Sequence, residues 1–291
     1  MFLRVIVIGL SLGAVYALIS IGYSMVYGIL KLMNFAHGDI YIFGTFIAYM
    51  LMQQYEVNMF LAIFLAMVVG GVLASIVEIV AYRPLRGKSF RNMSMISALG
   101  VAYIIQNVSE NIWTTRVHFF PSIITIPFVN ILGVKIPATQ LTTLAIVIVV
   151  VVALNLFLKH HKVGKAILCM SQDIPTASLM GIPANKTIEI VYILGGMLGV
   201  IAGVLYASSY NSLSISMGFS GTIVAFTAAV IGGIGSMNGA LIGGLLLGLI
   251  HSIVGVYIST AYRDVITFAF LIVVLLIRPR GILGEYVEEK V

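Results

Sequence analysis

Polar and ionisable side chains are costly inside long apolar stretches and usually face a protein interior or a wet cavity there, and this sequence has a short set of them. His37 and Asp39 follow Asn34 in the segment Met33-Asn34-Phe35-Ala36-His37-Gly38-Asp39. Glu78 lies close to Arg83; Tyr103, Asn107, Glu110 and Asn111 share one helical face with Gln106 beside it; His251 stands alone in an apolar run. The chemistry open to such groups is non-covalent: hydrogen bonding and charge compensation for a polar solute that crosses a bilayer. Two of the apolar stretches are also interrupted, by the segment just named and by Gly232-Gly233-Ile234-Gly235-Ser236-Met237-Asn238-Gly239. A helix broken at membrane depth leaves backbone N–H and C=O groups that hydrocarbon does not tolerate unless protein wraps them or they line a wet cavity. Structural roles compete at most of these positions. Asn34 or Asp39 suits a helix cap, Glu78 an ion pair with Arg83, and His251 a packed, hydrogen-bonded site. The polar face at 103–111 is the best candidate for a cavity wall from composition alone.

Covalent chemistry is absent from the pattern. Gly87-Lys88-Ser89 has the ending of a phosphate-binding loop, but the position that should hold its first glycine is Tyr82 and no strand precedes it. There is no His/Cys cluster at metal-ligand spacing and no serine-nucleophile motif, and the single cysteine, Cys169, excludes an internal disulfide. No catalytic residue, metal or cofactor is expected, and few buried carboxylates are available for a proton-driven carrier.

The elements that must position these residues are membrane spans. Of 291 residues 60% are hydrophobic and 9% charged, against about 25% charged in a soluble domain. The expectation is an all-α, polytopic membrane helix bundle of about 8–9 spans with broken or short helices, forming one membrane domain over 1–291. A window of about 20 residues places apolar segments near 5–28, 39–54, 59–82, 93–113, 139–158, 187–208, 220–232, 238–258 and 262–277. The first is too long for a signal-peptide core and lacks a cleavage site, so it is read as a retained span. The net charge of +6 is gathered in connections: Arg83, Arg86, Lys88 and Arg91; Lys159, Lys162 and Lys165; Arg278 and Arg280. That pattern reports topology, not nucleic-acid binding, and puts all three clusters on the cytoplasmic side. The N-terminus is then outside, provided that the short segment 220–232 crosses with its glycine-rich break near its cytoplasmic end. Connection 114–138 is external, with β-prone residues over Ile123 to Pro137 around Asn130-Ile131-Leu132-Gly133 that fit a small hairpin. Connection 159–186 is cytoplasmic, and its Asp173, Pro175, Gly181 and Pro183 bracket a short helix. Gly9/Gly13, Gly195/Gly199/Gly203, Gly239/Gly243 and Gly244/Gly248 have the spacing of close helix packing in lipid.

Four sequence words carry a resemblance: the segment 33–39; the loop from Asp173 to Ile182 ending in Ala177-Ser178-Leu179-Met180-Gly181-Ile182; the run Ala225-Phe226-Thr227-Ala228-Ala229-Val230-Ile231-Gly232-Gly233-Ile234-Gly235-Ser236; and Pro279-Arg280-Gly281-Ile282-Leu283-Gly284. In that order and at those spacings the chain resembles, over nearly its whole length, the high-affinity branched-chain amino-acid ATP-binding-cassette permeases, and among them the shorter permease of the pair. The resemblance implies a half-channel in a bacterial cytoplasmic (inner) membrane, a related second permease, two cytoplasmic P-loop ATPase subunits and an external substrate-binding protein. It also implies that Asp173, Thr176, Ala177 and Gly181 form the helix that couples to the ATPases. Asn34, His37, Gly38, Gln106, Asn107, Gly232, Gly233, Gly235 and Ser236 would belong to the pathway or its gate, joined by Glu110 from the polar face. Urea, short-chain amides and neutral amino acids are all carried by this architecture. A passive channel for a small polar solute and a self-sufficient secondary carrier are the competing classes.

Overall fold

A computed structural model describes residues 2–86, 91–122, 128–131 and 134–284. The chain runs α1 (Phe2–Leu30), α2 (His37–Gln53), α3 (Met59–Val77), α4 (Arg91–Trp113), strands β1 (Phe128–Ile131) and β2 (Val134–Pro137), α5 (Ala138–His160), α6 (Lys162–Gln172), α7 (Ile174–Leu179), α8 (Ala184–Tyr210), α9 (Met217–Gly232), α10 (Met237–Tyr257) and α11 (Arg263–Ile277). The expected all-α bundle is borne out. Among the described residues six helical segments are long and apolar enough to cross a membrane unaided, and α9 is a shorter apolar helix. Helix α2 falls short because it starts inside the bundle, and α4 because its apolar run is diluted by amides. The antiparallel pairing of Phe128 with Pro137 through Ile131 with Val134 bears out the hairpin in its second half. Residues 123–127, Leu132 and Gly133 lie outside the described residues.

Helix α5 leads from the hairpin straight to α6, so these mark opposite ends of the bundle, about 34 Å apart at 1.5 Å per residue. The remaining helices sort onto this axis by their contacts. Helix α8 starts just past α7 and ends where Leu213 bridges to His118, near the hairpin. Helix α1 is antiparallel to it: Gly22 meets Gly195 and Tyr16 stacks on Tyr206. Helix α10 is antiparallel to α1, with a Cβ on Gly13 falling 2.8 Å from the Leu245 Cα and one on Gly244 colliding with the backbone of Ala17. Most of the glycines read from the sequence are therefore packing sites at backbone–backbone distance, whereas Gly199 and Gly203 make room for the side chains of Tyr41 and Thr45; in both cases dispersion replaces the hydrophobic effect that lipid does not supply. The described cations of all three basic clusters fall at the α6/α7 end.

At that end α3 continues through one π turn (Glu78–Tyr82) into a 3₁₀ turn (Arg83–Leu85). The Glu78 carboxylate has no solvent exposure. It accepts from Arg83 Nη2 at 2.9 Å and pairs with Arg86 Nη2, while Arg83 Nη2 also donates to Glu189 Oε2 on α8 at 2.7 Å. Ser75 donates to Glu189 Oε1 at 3.0 Å and Arg86 Nη1 to Asn185 Oδ1 at 3.1 Å. Two carboxylates and two guanidinium groups thus form one neutral cluster that ties the end of α3 to the first turns of α8. Because a buried charge stripped of its partner is far costlier than the intact pair is favourable, Glu78→Ala is expected to destabilise the folded chain by about 3–5 kcal/mol, and Glu189→Gln, at the more exposed edge, by much less. Thermal unfolding of the detergent-solubilised protein measures both, and equal midpoints for the two variants would remove Glu78 from the centre of the cluster.

Candidate functional site

The first interruption lies inside the bundle. After α1 the chain turns at Lys31 (φ 54°) and runs irregularly back between helices. Asn34 Oδ1 accepts from Ala36 N at 3.1 Å, and the Tyr82 hydroxyl reaches both Asn34 Oδ1 and the Met33 carbonyl at 3.2 Å. Asn34 is thus the residue that pairs the loop backbone, as its type suggested. The N-cap position of α2 is Ala36, without a side-chain bond. His37, buried, directs Nε2 at the Ile19 carbonyl (3.3 Å) in the middle of α1 and fits between Gly22 and Gly199. Gly38 has no room for a Cβ, because the Gly218 carbonyl and Thr222 Oγ1 occupy that space.

That last contact defines an interior that sequence reasoning missed. Gly218 belongs to the first turn of α9, which is reached from the hairpin end through Asn211 (φ 49°) and the serine-rich stretch 212–216. Helices α2 and α9 therefore both start inside the bundle with their N-termini together, α2 running to the hairpin end and α9 to the α6/α7 end. The Tyr41 hydroxyl crosses between them to donate to the Met217 carbonyl at 2.7 Å. The only advance signal was the alternation Ser212-Leu213-Ser214-Ile215-Ser216 after a helix-ending Asn211.

The glycine-rich segment 232–239 sits elsewhere, at the α6/α7 end, as the short-crossing reading of 220–232 required. Gly233 (φ 115°) and Gly235 (φ 89°) turn the chain between α9 and α10, and Ser236 Oγ caps α10 by accepting from Gly239 N at 3.2 Å. Ser24 of α1 accepts from Gly235 N at 3.1 Å. The segment after α11 folds back onto this turn: Ile282 N donates to the Ile231 carbonyl at 2.9 Å and Leu283 N to the Gly232 carbonyl at 2.8 Å.

Helix α4 turns its polar face outward. Tyr103 is 64% exposed; Asn107 and Asn111 are exposed, and Gln106 and Glu110 half-buried. Each amide has one donor satisfied on its own helix: Asn107 Nδ2 to the Tyr103 carbonyl (2.8 Å), Asn111 Nδ2 to the Asn107 carbonyl (2.9 Å), Gln106 Nε2 to Glu110 Oε1 (3.0 Å). One turn back on the same face, a Cβ on Gly100 would meet nothing within 4 Å.

Between α5 and α8 the expected short helix is present as α7. Asp173 caps it by accepting from Thr176 N at 2.6 Å, and that bond holds its carboxyl below the ordinary carboxylate range. Gly181 (φ 86°) ends it, with Ile182 N closing onto the Ala177 carbonyl at 3.1 Å. Asp173 and Gly181 thus shape the helix, whereas Ala177 is buried against the bundle. The surface that α7 offers consists of Leu179, 88% exposed, and Met180, 80% exposed, a pair not singled out from the sequence. The structure thus places the sequence-selected residues in four separate locations: Asn34, His37 and Gly38 in the interior; Gln106, Asn107 and Glu110 on the outer side of α4; Gly232, Gly233, Gly235 and Ser236 under the C-terminal segment; and Asp173, Thr176, Ala177 and Gly181 at the α6/α7 end. Glu78 and His251 are held by internal partners, as their structural readings had it. Among the described residues no group of three His, Cys, Asp or Glu is arranged to hold a metal ion.

Residues 5–275 match the family described as branched-chain amino acid transport system / permease component. The high-affinity branched-chain amino acid transport system permease protein LivH of Escherichia coli K12 is 38% identical over 302 aligned positions that cover 100% of this chain and 98% of that protein. LivH of Salmonella typhimurium and BraD of Pseudomonas aeruginosa, named in the same way, are each 37% identical over the same shares. With a match along nearly its whole length, interior helix starts and helices apolar enough to span a membrane, the chain is a multi-pass membrane protein that belongs to the branched-chain amino acid permease family.

Proposed function

We propose that this chain forms half of the translocation pathway of an ATP-binding-cassette importer for branched-chain or other neutral amino acids. A related second permease covers α4, cytoplasmic P-loop ATPases dock on α7, and an external binding protein delivers the amino acid at the hairpin end. The membrane is the bacterial cytoplasmic (inner) membrane. The observation that carries the reading is the outward polar face of α4. Two asparagines with a glutamine and a glutamate beside them, on the outside of a membrane helix, are incompatible with lipid tails. A partner subunit with an aqueous route between the two chains satisfies both the amides and the transport role. A channel made by one chain would turn such a row into its own bundle, and it would have no use for a capped helix that holds Leu179 and Met180 in solvent.

The mechanism follows from the same placement. ATP-driven movement of the ATPases is received at α7. Only the turn at Gly181 and Pro183 separates α7 from α8, and α8 is locked to α3 by the Glu78–Arg83–Glu189 cluster. Tyr82, in the π turn of α3, holds Asn34 and so the entrance to α2. A rigid shift of α8 is thereby felt at the interior break, and the bundle can alternate between two openings. Selectivity resides mainly in the external protein.

Two measurements test this reading. Asn107→Cys in a Cys169→Ser background, labelled with a benzophenone maleimide in native membranes, is expected to photo-crosslink a second, related permease, with P-loop ATPases in the same gently solubilised complex; Ile148→Cys on the exposed, wholly apolar side of α5 is not. Crosslinking to lipid alone, or a complex without ATPases, overturns the proposal. At α7, Gly181→Pro and Asp173→Lys should leave the bundle folded and ATP hydrolysis intact while uptake per ATP drops at least several-fold, and Asp173→Asn, also a good cap, should retain coupling. Since the cap depresses the carboxyl, its contribution is complete above the ordinary carboxylate pKa of about 4 and is lost as pH falls through the lower folded value. Wild-type coupling should thus be flat through neutral pH, and a loss on the alkaline side would refute the role of Asp173.

A further inference from the structure

A cavity of about 310 Å³ opens at the hairpin end among α1, α2, α8, α9, α10 and α11, away from the outer face of α4. Tyr16, Tyr41 and His251 line its inner part and Arg263 and Asp264 lie at the start of α11, while Ile19 and Val224 supply apolar wall. The hydrogen-bond directions fix what this lining offers. Thr267 Oγ1 donates to the Arg263 carbonyl at 2.8 Å, so its oxygen is the acceptor for His251 Nε2, and His251 carries its hydrogen there. Nδ1 is then an acceptor, and the Tyr16 hydroxyl, 3.1 Å away, gives its hydrogen to it. The Tyr41 hydroxyl has likewise given its hydrogen to the Met217 carbonyl. Both tyrosine oxygens therefore have only lone pairs left, so the inner part of the cavity accepts hydrogen bonds without carrying charge. Arg263 supplies the opposite chemistry: a cation on the cavity lining at the start of α11.

We propose that this cavity, within one subunit, is a binding site for an aliphatic α-amino acid as its zwitterion, with the ammonium on the Tyr16 and Tyr41 oxygens, the carboxylate on Arg263 and the side chain against Ile19 and Val224. The inference rests on the amino-acid importer reading and adds a station to it: the permease itself receives the amino acid after release from the external protein. Two hydroxyl acceptors face the ammonium and one cation the carboxylate, and the exposed Asp264 carboxylate on the same lining adds to the attraction for the ammonium. Neither an amine nor an organic acid of the same shape uses both ends.

The test is direct binding of tritiated leucine to the purified complete transporter in lipid nanodiscs, without the external binding protein. Saturable binding is expected, with competition by unlabelled leucine and at least tenfold weaker competition by 4-methyl-2-oxopentanoate, which lacks the ammonium, and by 3-methylbutylamine, which lacks the carboxylate. Tyr41→Phe and Arg263→Gln should each weaken leucine binding at least tenfold in complexes that retain the wild-type melting temperature. If either variant fails to assemble, the analogue series on the wild-type complex decides. Absence of saturable binding, equal competition by the three compounds, or unchanged affinity in a folded variant overturns the site. A complex that hydrolyses ATP and imports leucine with its binding protein, yet binds none without it, overturns this inference alone; a complex with no ATPase overturns the importer reading beneath it.

Discussion

Hydrocarbon does not solvate a peptide group, and the architecture of this chain is arranged around two places where a helix nevertheless begins at membrane depth. Helices α2 and α9 start against one another, and each approach is held by one side chain from a helix and by polar side chains of the segment itself: Tyr82 of α3 with Asn34 on one, Tyr41 of α2 with the Ser214–Ser216 hydroxyl pair on the other. That arrangement needs neighbours close enough to exclude lipid. The glycines of α1, α8 and α10 provide the closeness, since backbone rests on backbone at Gly22 and Gly195 and at Gly13 and Leu245. Tight packing in this protein thus serves to enclose unpaired polar backbone, and a looser bundle would have to give up its interior helix starts.

What could be read from the sequence follows from the range of the interactions involved. Apolar length is local, and the helices lie where the apolar segments lie, with differences of a few residues at their ends. The short helix after Asp173 was legible because a cap, a proline and a glycine are local signals too. The interior break at 33–39 stood out through its composition, but its counterpart at 211–216 did not, because a few alternating serines look like any surface connection until the fold brings Gly218 onto Gly38. Partners far apart in the chain were equally hidden. Glu78 pointed to Arg83 nearby but not to Glu189 across the bundle, and nothing near His251 announces that Tyr16 and Thr267 fix its tautomer.

The candidate site shows the same division with an opposite result on α4. Its polar face was recognised from helical periodicity alone, and periodicity said correctly that Tyr103, Asn107 and Asn111 lie together. It could not say whether that face turns inward or outward, which decides between a pore inside one chain and a pathway shared by two. On α7 periodicity was too short to use: Ala177 packs inward, and the exposed residues are its neighbours Leu179 and Met180.

The return of the segment after α11 to the α9–α10 turn bears on how the chain is made. The carbonyls of Ile231 and Gly232 are satisfied by the amides of Ile282 and Leu283, which leave the ribosome only after α10 and α11 have been synthesised. Through that interval the end of α9 is complete in sequence but lacks these two protein donors, beside the close approach of Gly232 and Gly239. The end of α9 is therefore completed by a segment that lies two helices later in the chain, so forming this helix and pairing its last carbonyls are separate events in synthesis.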